Sequence, residues 1–187
     1  MKNLKFTFYF FLLFLLRFNL LAEESKQIIY LRKLAATTKD SVKLIKVLSS
    51  LGWELGFEDL KEGLSISEEA LRLAIKYKDR AMEAQIYDAI GTFYHDLGDA
   101  ERAVYFHKKS IALYNELPNT EIGLGNAYLN IARVFNSTGD YTKTLEYNFR
   151  ALKLFKAKSY TEGLPKLYNN IGLTYSLMGN LATGIYY

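Results

Sequence analysis

The stretch YDAIGTFYHDLGD at residues 87–99 returns as YLNIARVFNSTGD at 128–140 and as YNNIGLTYSLMGN at 168–180, so one pattern recurs at spacings of 41 and 40 residues. A fixed period of this size is the mark of a helical solenoid built from stacked helix-turn-helix units. Tyr87, Ile90, Gly91 and Tyr94 fall at helical spacing on one face, which Leu97-Gly98-Asp99 then closes. Gly98 suits the left-handed position after a helix because it has no Cβ. Asp99 suits the start of the next helix because its carboxylate accepts a backbone N–H. Gly139-Asp140 and Gly179-Asn180 repeat that chemistry at the same phase. What repeats is a packing and turn motif with no reactive group in it, which argues against an enzyme.

The second helix of each unit carries small residues at matching places. Ala103 follows Gly91, Thr144 follows Ala132 and Gly184 follows Gly172, each by 12 positions, with Ser110 and Ala151 seven positions later. Small side chains there let two helix axes approach while Tyr, Ile and Phe fill the space between them. Burying one such large side chain contributes on the order of 1.5–3 kcal/mol. An earlier, less regular unit reads Leu48, Leu51, Gly52, then Gly63 and Ala70. Ahead of it, Ile28, Leu31 and Leu34 predict a short helix covering the outer face of the first unit.

Lys2 and Lys5 precede an 11-residue apolar stretch from Phe6 to Leu16, then Arg17 and a segment ending at Ala22 before Glu23 and Glu24. A basic start, an apolar run and a small residue at the cleavage point predict a secretory signal at residues 1–22. The alternative is an uncleaved anchor that tethers the protein to a membrane through residues 6–22, although Arg17 interrupts the roughly 20 apolar residues that a span needs. No Cys follows the run, so a lipid-anchored form is excluded, and with no Cys at all the chain has neither disulfides nor thiolate metal sites.

Without Lys2, Lys5 and Arg17 the 24 basic side chains become 21, against 20 acidic, so the sequence pI of 9.0 reflects the leader. A nearly neutral body without a basic run offers no electrostatic footprint for nucleic acid. Stability must come from apolar packing, for which 15 Tyr and 12 Phe supply ample material. No cofactor or metal is expected. Gly123-Leu124-Gly125 is a loose glycine pair and no phosphate loop. His95 and Asp96 are neighbours on a helix and point about 100° apart, so they are not expected to act as base and orienter. Trp53, beside Gly52, is expected in the core, with a groove-lining place as the alternative.

These residues resemble the tetratricopeptide repeat family, whose pattern is met by Tyr87, Ile90, Gly91, Tyr94, Ala103 and Ser110, by Tyr128, Ile131, Ala132, Phe135 and Ala151, and by Tyr168, Ile171, Gly172 and Tyr175. The likeness runs from about Asp40 to Tyr187. It implies an all-α, right-handed α-α superhelix of about 3.5 repeats, with units at about 40–80, 81–120, 121–160 and an incomplete 161–187 after a helix in 23–39. The family's common period is 34, so each unit here has about six extra residues, enough for more than one and a half helical turns. In this it is similar to kinesin light chain and related scaffolds. His107 falls where the family usually has an aromatic, which implies a packing role.

The resemblance also implies a site. In the family the first helix of each unit lines a concave groove that binds an extended peptide. Carried onto this chain, the groove positions are Gln85, Asp88, Thr92 and His95 in the second unit, Asn126, Asn130, Arg133 and Asn136 in the third, and Lys166, Asn169 and Asn170 in the fourth. An amide has donor and acceptor together, so Asn130 and Asn170 suit a peptide backbone, while Arg133 and Lys166 suit an acidic side chain or terminal carboxylate. These amides are expected to serve binding and not stability.

The expected function is therefore an exported scaffold that binds a protein or peptide partner. The alternative is the extracytoplasmic sensor portion of a bacterial histidine kinase or transcription regulator. The last unit has only seven residues after Asn180 and no polar capping helix. That points to a fragment, or to an end covered by another chain.

Overall fold

The computed structural model describes residues 26–187, and the leader read at 1–22 lies outside them. Among the described residues every regular element is helical. The first helix, α1, is seen over 26–37. It is followed by α2 (Ser41–Glu58), α3 (Leu60–Lys76), α4 (Arg80–Asp96), α5 (Ala100–Glu116), α6 (Glu121–Ser137), α7 (Tyr141–Ala157), a 3-10 turn at Thr161–Gly163, α8 (Leu164–Leu177) and α9 (Leu181–Tyr186). Four hairpins, α2/α3, α4/α5, α6/α7 and α8/α9, stack in chain order as a right-handed α-α superhelix. The helices α3 to α7 each have 17 residues, so the long period is spent on helix length. Seventeen residues make a rod of about 25 Å.

The turns form for the reasons their chemistry implies. Gly98, Gly139 and Gly179 take φ of +82°, +79° and +82°. Behind each, two N–H groups turn back on the helix just ended: Gly98 donates to His95 O at 2.9 Å and Asp99 to Tyr94 O at 2.8 Å. That is the paired closure of a Schellman turn. The same pair of bonds closes α3 at Lys78 and α7 at Ser159, non-glycine residues held at φ +58° and +52°. Asp99 and Asp140 then accept from the N–H groups of Arg102 and Lys143, at 2.9 and 3.1 Å. The backbone bond from Arg102 holds the Asp99 carboxyl below its ordinary range, as the Lys143 ammonium and N–H do for Asp140. Because the folded pKa is lowered, each cap stabilises the fold above the unfolded value and is lost as pH falls through the folded one.

Between α2 and α3 a single residue, Asp59, ends one helix and caps the next, accepting from Lys61 and Glu62 N–H. So short a corner presses the two rods together. Gly52, Gly56, Gly63 and Ser67 line the crossing, where a Cβ on Gly63 would lie 2.6 Å from the Gly56 backbone. Later units pack differently. Gly91 makes room for the His107 ring, Gly125 and Gly163 seat Phe155, and Gly172 lies against the Gly184 carbonyl. Ala103, Ser110, Thr144 and Ala151 are all buried. Helix α1 contributes Ile28 and Leu31 to the core around Ile45, Leu48 and Leu51, and Arg32 pairs with Glu62 at 2.5 Å. Both partners of that pair are half exposed, so the apolar contact carries the docking.

Candidate functional site: the face lined by the first helices

Successive first helices touch directly, α2 with α4 and α4 with α6. They therefore present one continuous face, with α8 continuing it, and two depressions lie along it.

The larger, about 350 Å³, is lined by Ser49, Ser50, Trp53 and Glu54 from α2, by Gln85, Asp88, Ala89 and Thr92 from α4, and by Asn130 from α6. Trp53 is 42% exposed here. Its indole meets Phe57 edge-on at 5.6 Å and lies 5.9 Å from the Phe93 ring. The expectation that Trp53 belongs to the core is thus corrected. Gly52 meets α3 at Gly63 and Ser67, and Trp53, one position on, falls on the neighbouring flank of α2 that faces Phe93 of α4.

The smaller depression, about 90 Å³, lies between α6, α7 and α8 and holds Asn130, Arg133, Asn136, Lys166 and Asn170 together with Thr144, Asn148 and Thr174. Five of the eleven groove positions inferred from sequence thus meet in one place. The others divide. Gln85 is exposed and lines the larger depression with Trp53. Thr92 is buried, and its hydroxyl donates to the Asp88 carbonyl at 3.2 Å, so it offers little to a ligand. Asn126 is exposed but lines neither depression. Asn169 is exposed and lines a separate depression with Tyr168, Gly184 and Tyr187.

Asp88 is occupied. Its Oδ1 accepts from His107 Nδ1 at 2.7 Å, and its Oδ2 from the Asn130 amide at 2.8 Å. His107 is 1% exposed. The carboxylate therefore ties α5, α4 and α6 together, across a unit boundary. Its charge adds to the burial that pushes the Tyr114 hydroxyl up to about 12. Asn130 is thereby a structural link as well as a groove residue, which revises the expectation that its amide serves binding alone.

His95 also departs from expectation. Its Nδ1 lies 3.1 Å from Asp96 Oδ1 and its Nε2 lies 3.2 Å from Ser137 Oγ. The row looks like a hydrolytic triad but lacks its machinery. The Ser137 hydroxyl donates to the Val134 carbonyl, and the N–H groups of Thr138, Gly139 and Asp140 are all bonded to α6 carbonyls. Those groups supply no donors for an oxyanion, and a helix C-terminus carries the wrong sign for one. Among the described residues no group of three His, Cys, Asp or Glu is placed to hold a metal. No described helix is long and apolar enough to cross a membrane.

Hairpins of near-equal helices, Schellman turns at a 40-residue phase and a face lined by alternate helices define a helical-repeat solenoid. Residues 52–116 match the tetratricopeptide repeat family model. Tetratricopeptide repeat protein 29 of Trypanosoma brucei brucei is 26% identical over 140 residues, which cover 74% of this chain and 28% of that protein. Among solved structures, BtubC (BKLC) from P. vanneervenii superposes with a TM-score of 0.74 at 17% identity, over 88% of this chain and 70% of that one. Bacillus thuringiensis PlcR, in complex with the peptide PapR7 and DNA, gives 0.75 at 12% identity, over 84% and 58%. The chain has the fold of a tetratricopeptide-like helical-repeat solenoid, and it spans little more than a quarter of the length of the curated relative it matches.

Proposed function

We propose that this protein is an interaction scaffold that holds an extended segment of a partner protein against the face lined by α2, α4, α6 and α8. Trp53 carries the reading. A large indole braced by Phe57 and Phe93, yet open to solvent beside Gln85 and Ser50, has the form of an interface anchor. The likeness to PlcR, a structure that contains a bound peptide, supports the same reading. Selection from a library of random linear peptides tests it. Peptides should be enriched, and Trp53→Ala should lower their affinity at least about tenfold with little change in stability. Failure to enrich any peptide, or equal affinity for the variant, would refute the groove.

Export belongs to the same proposal and rests on residues 1–22 alone. The N-terminus of the protein recovered from its own cells should lie near Glu23, whereas an intact Met1 on a protein free of membranes contradicts it. The sensor reading draws support from the same PlcR likeness, since that structure also holds DNA. An apolar span of about 20 residues followed by a kinase or DNA-binding module beyond Tyr187 would favour it.

A further inference from the structure

Asn148 is a buried amide, 1% exposed, whose Nδ2 and Oδ1 both lack a hydrogen-bond partner. Leaving such a group unpaired costs about 1–3 kcal/mol, and chains retain few of them. It floors the 90 Å³ depression between α6, α7 and α8, where the Asn136 Oδ1 is also buried and unpaired.

The repeat explains how it came to be alone. Asn148 stands 41 residues after His107, at the phase that relates Tyr128 to Tyr87. In the second unit the buried His107 is satisfied by Asp88, and the Asp88 carboxylate is gripped from the next unit by Asn130. In the third unit the residue equivalent to Asp88 is Leu129, 41 positions on, and the residue equivalent to Asn130 is Asn170, 40 positions on. Both polar partners of a carboxylate are therefore in place and the chain's own carboxylate is missing. The lining contains Arg133 and Lys166 and no acidic side chain. Among the described residues the one ion pair of Arg133 is a 3.4 Å contact with Asp96, at the solvent surface.

We propose that this pocket receives a carboxylate, the short acidic side chain of the bound peptide, which enters beside Leu129 and is held by the Asn148 and Asn170 amides much as His107 and Asn130 hold Asp88. The Asn148 amide donates to it from below, and Arg133 and Lys166 supply the positive field at the mouth. The pocket is small, about 90 Å³, and the positive charges of Arg133 and Lys166 favour acid over amide. Asn148 lies on a second helix, outside the face from which the groove was inferred. The inference rests on the groove reading only for the carboxylate being part of a peptide.

The probe is N-acetyl-aspartate N-methylamide, compared with its asparagine counterpart, added to the full ¹⁵N-labelled chain at low salt. The Asn148 side-chain resonances, identified by their loss in Asn148→Leu, should shift saturably with the aspartate probe and stay still with the asparagine one. Arg133→Gln with Lys166→Gln should weaken the response at least tenfold. Asn148→Leu should abolish the accompanying shifts at Asn130 and Asn170 and raise the melting temperature, because an apolar side chain of similar size relieves the unpaired amide. No shift at any probe concentration, equal shifts with both probes, or retained shifts in Asn148→Leu would overturn the proposal. Library peptides that need Trp53 but ignore Asn148→Leu would sink this inference and leave the groove standing. Probe binding without any peptide enrichment would keep the pocket and sink the groove.

Discussion

Gly63→Ala is expected to remove about 3 kcal/mol of stability, the upper part of the range for overpacking, although it adds one methyl group to a helix. A Cβ at that position meets the Gly56 nitrogen and Cα at 2.6 Å and the Gly52 carbonyl at 2.7 Å. All three are backbone atoms of α2, so no side chain can rotate away. The one-residue corner at Asp59 gives the helices little slack to separate. Gly56→Ala is the control. Its new methyl meets the Phe93 ring, a side chain able to tilt, and it should cost less. Urea or thermal unfolding measures both. A Gly63→Ala midpoint equal to wild type would show that α2 and α3 do not cross there. Domains of this kind hold about 5–15 kcal/mol in all, so the first hairpin and the α1 helix docked on it should be the first to open.

Asp88→Ala is expected to cost about 3 kcal/mol, because removing one partner of a buried polar pair strands the other. Here two partners are stranded, the 1%-exposed His107 and the Asn130 amide. Since the carboxylate joins helices of two units, the loss should appear as decoupling of the α4/α5 hairpin from α6 as well as a lower midpoint. A double-mutant cycle of Asp88→Ala with Asn130→Ala should show a coupling of about 0.5–3 kcal/mol. A loss below about 1 kcal/mol for Asp88→Ala would mean that the carboxylate is free for a ligand, as its place in the repeat first suggests.

The contrast between Asp88 and Asn148 shows how the candidate site was partly legible. Of the groove positions, Asn130, Arg133, Asn136, Lys166 and Asn170 converge in one depression, whereas Thr92 is buried and Asn169 lies elsewhere. Trp53 was assigned to the core because apolar residues beside a small-residue crossing usually belong there. Its outward turn depends on which flank of α2 faces α3. The Asn148 pocket had a signal in the register with His107. What gives that signal meaning is the carboxylate that answers His107, and that contact joins residues 19 apart across a hairpin.

The left-handed turns at Lys78 and Ser159 mark the same boundary. Where a glycine stands, as at 98, 139 and 179, the turn is written in one residue, because only the local backbone has to be satisfied. Lys78 and Ser159 reach the same conformation because α3 and α7 must end for the next hairpin to stack. Periodicity and cap chemistry therefore suffice for the helix pairs, their phase and the solenoid, all of which depend on interactions within a turn or two of chain. Polar partnership does not follow from them. Whether a buried amide or imidazole is answered, and by which helix, is set by side chains brought together from different units, and no single repeat contains that information.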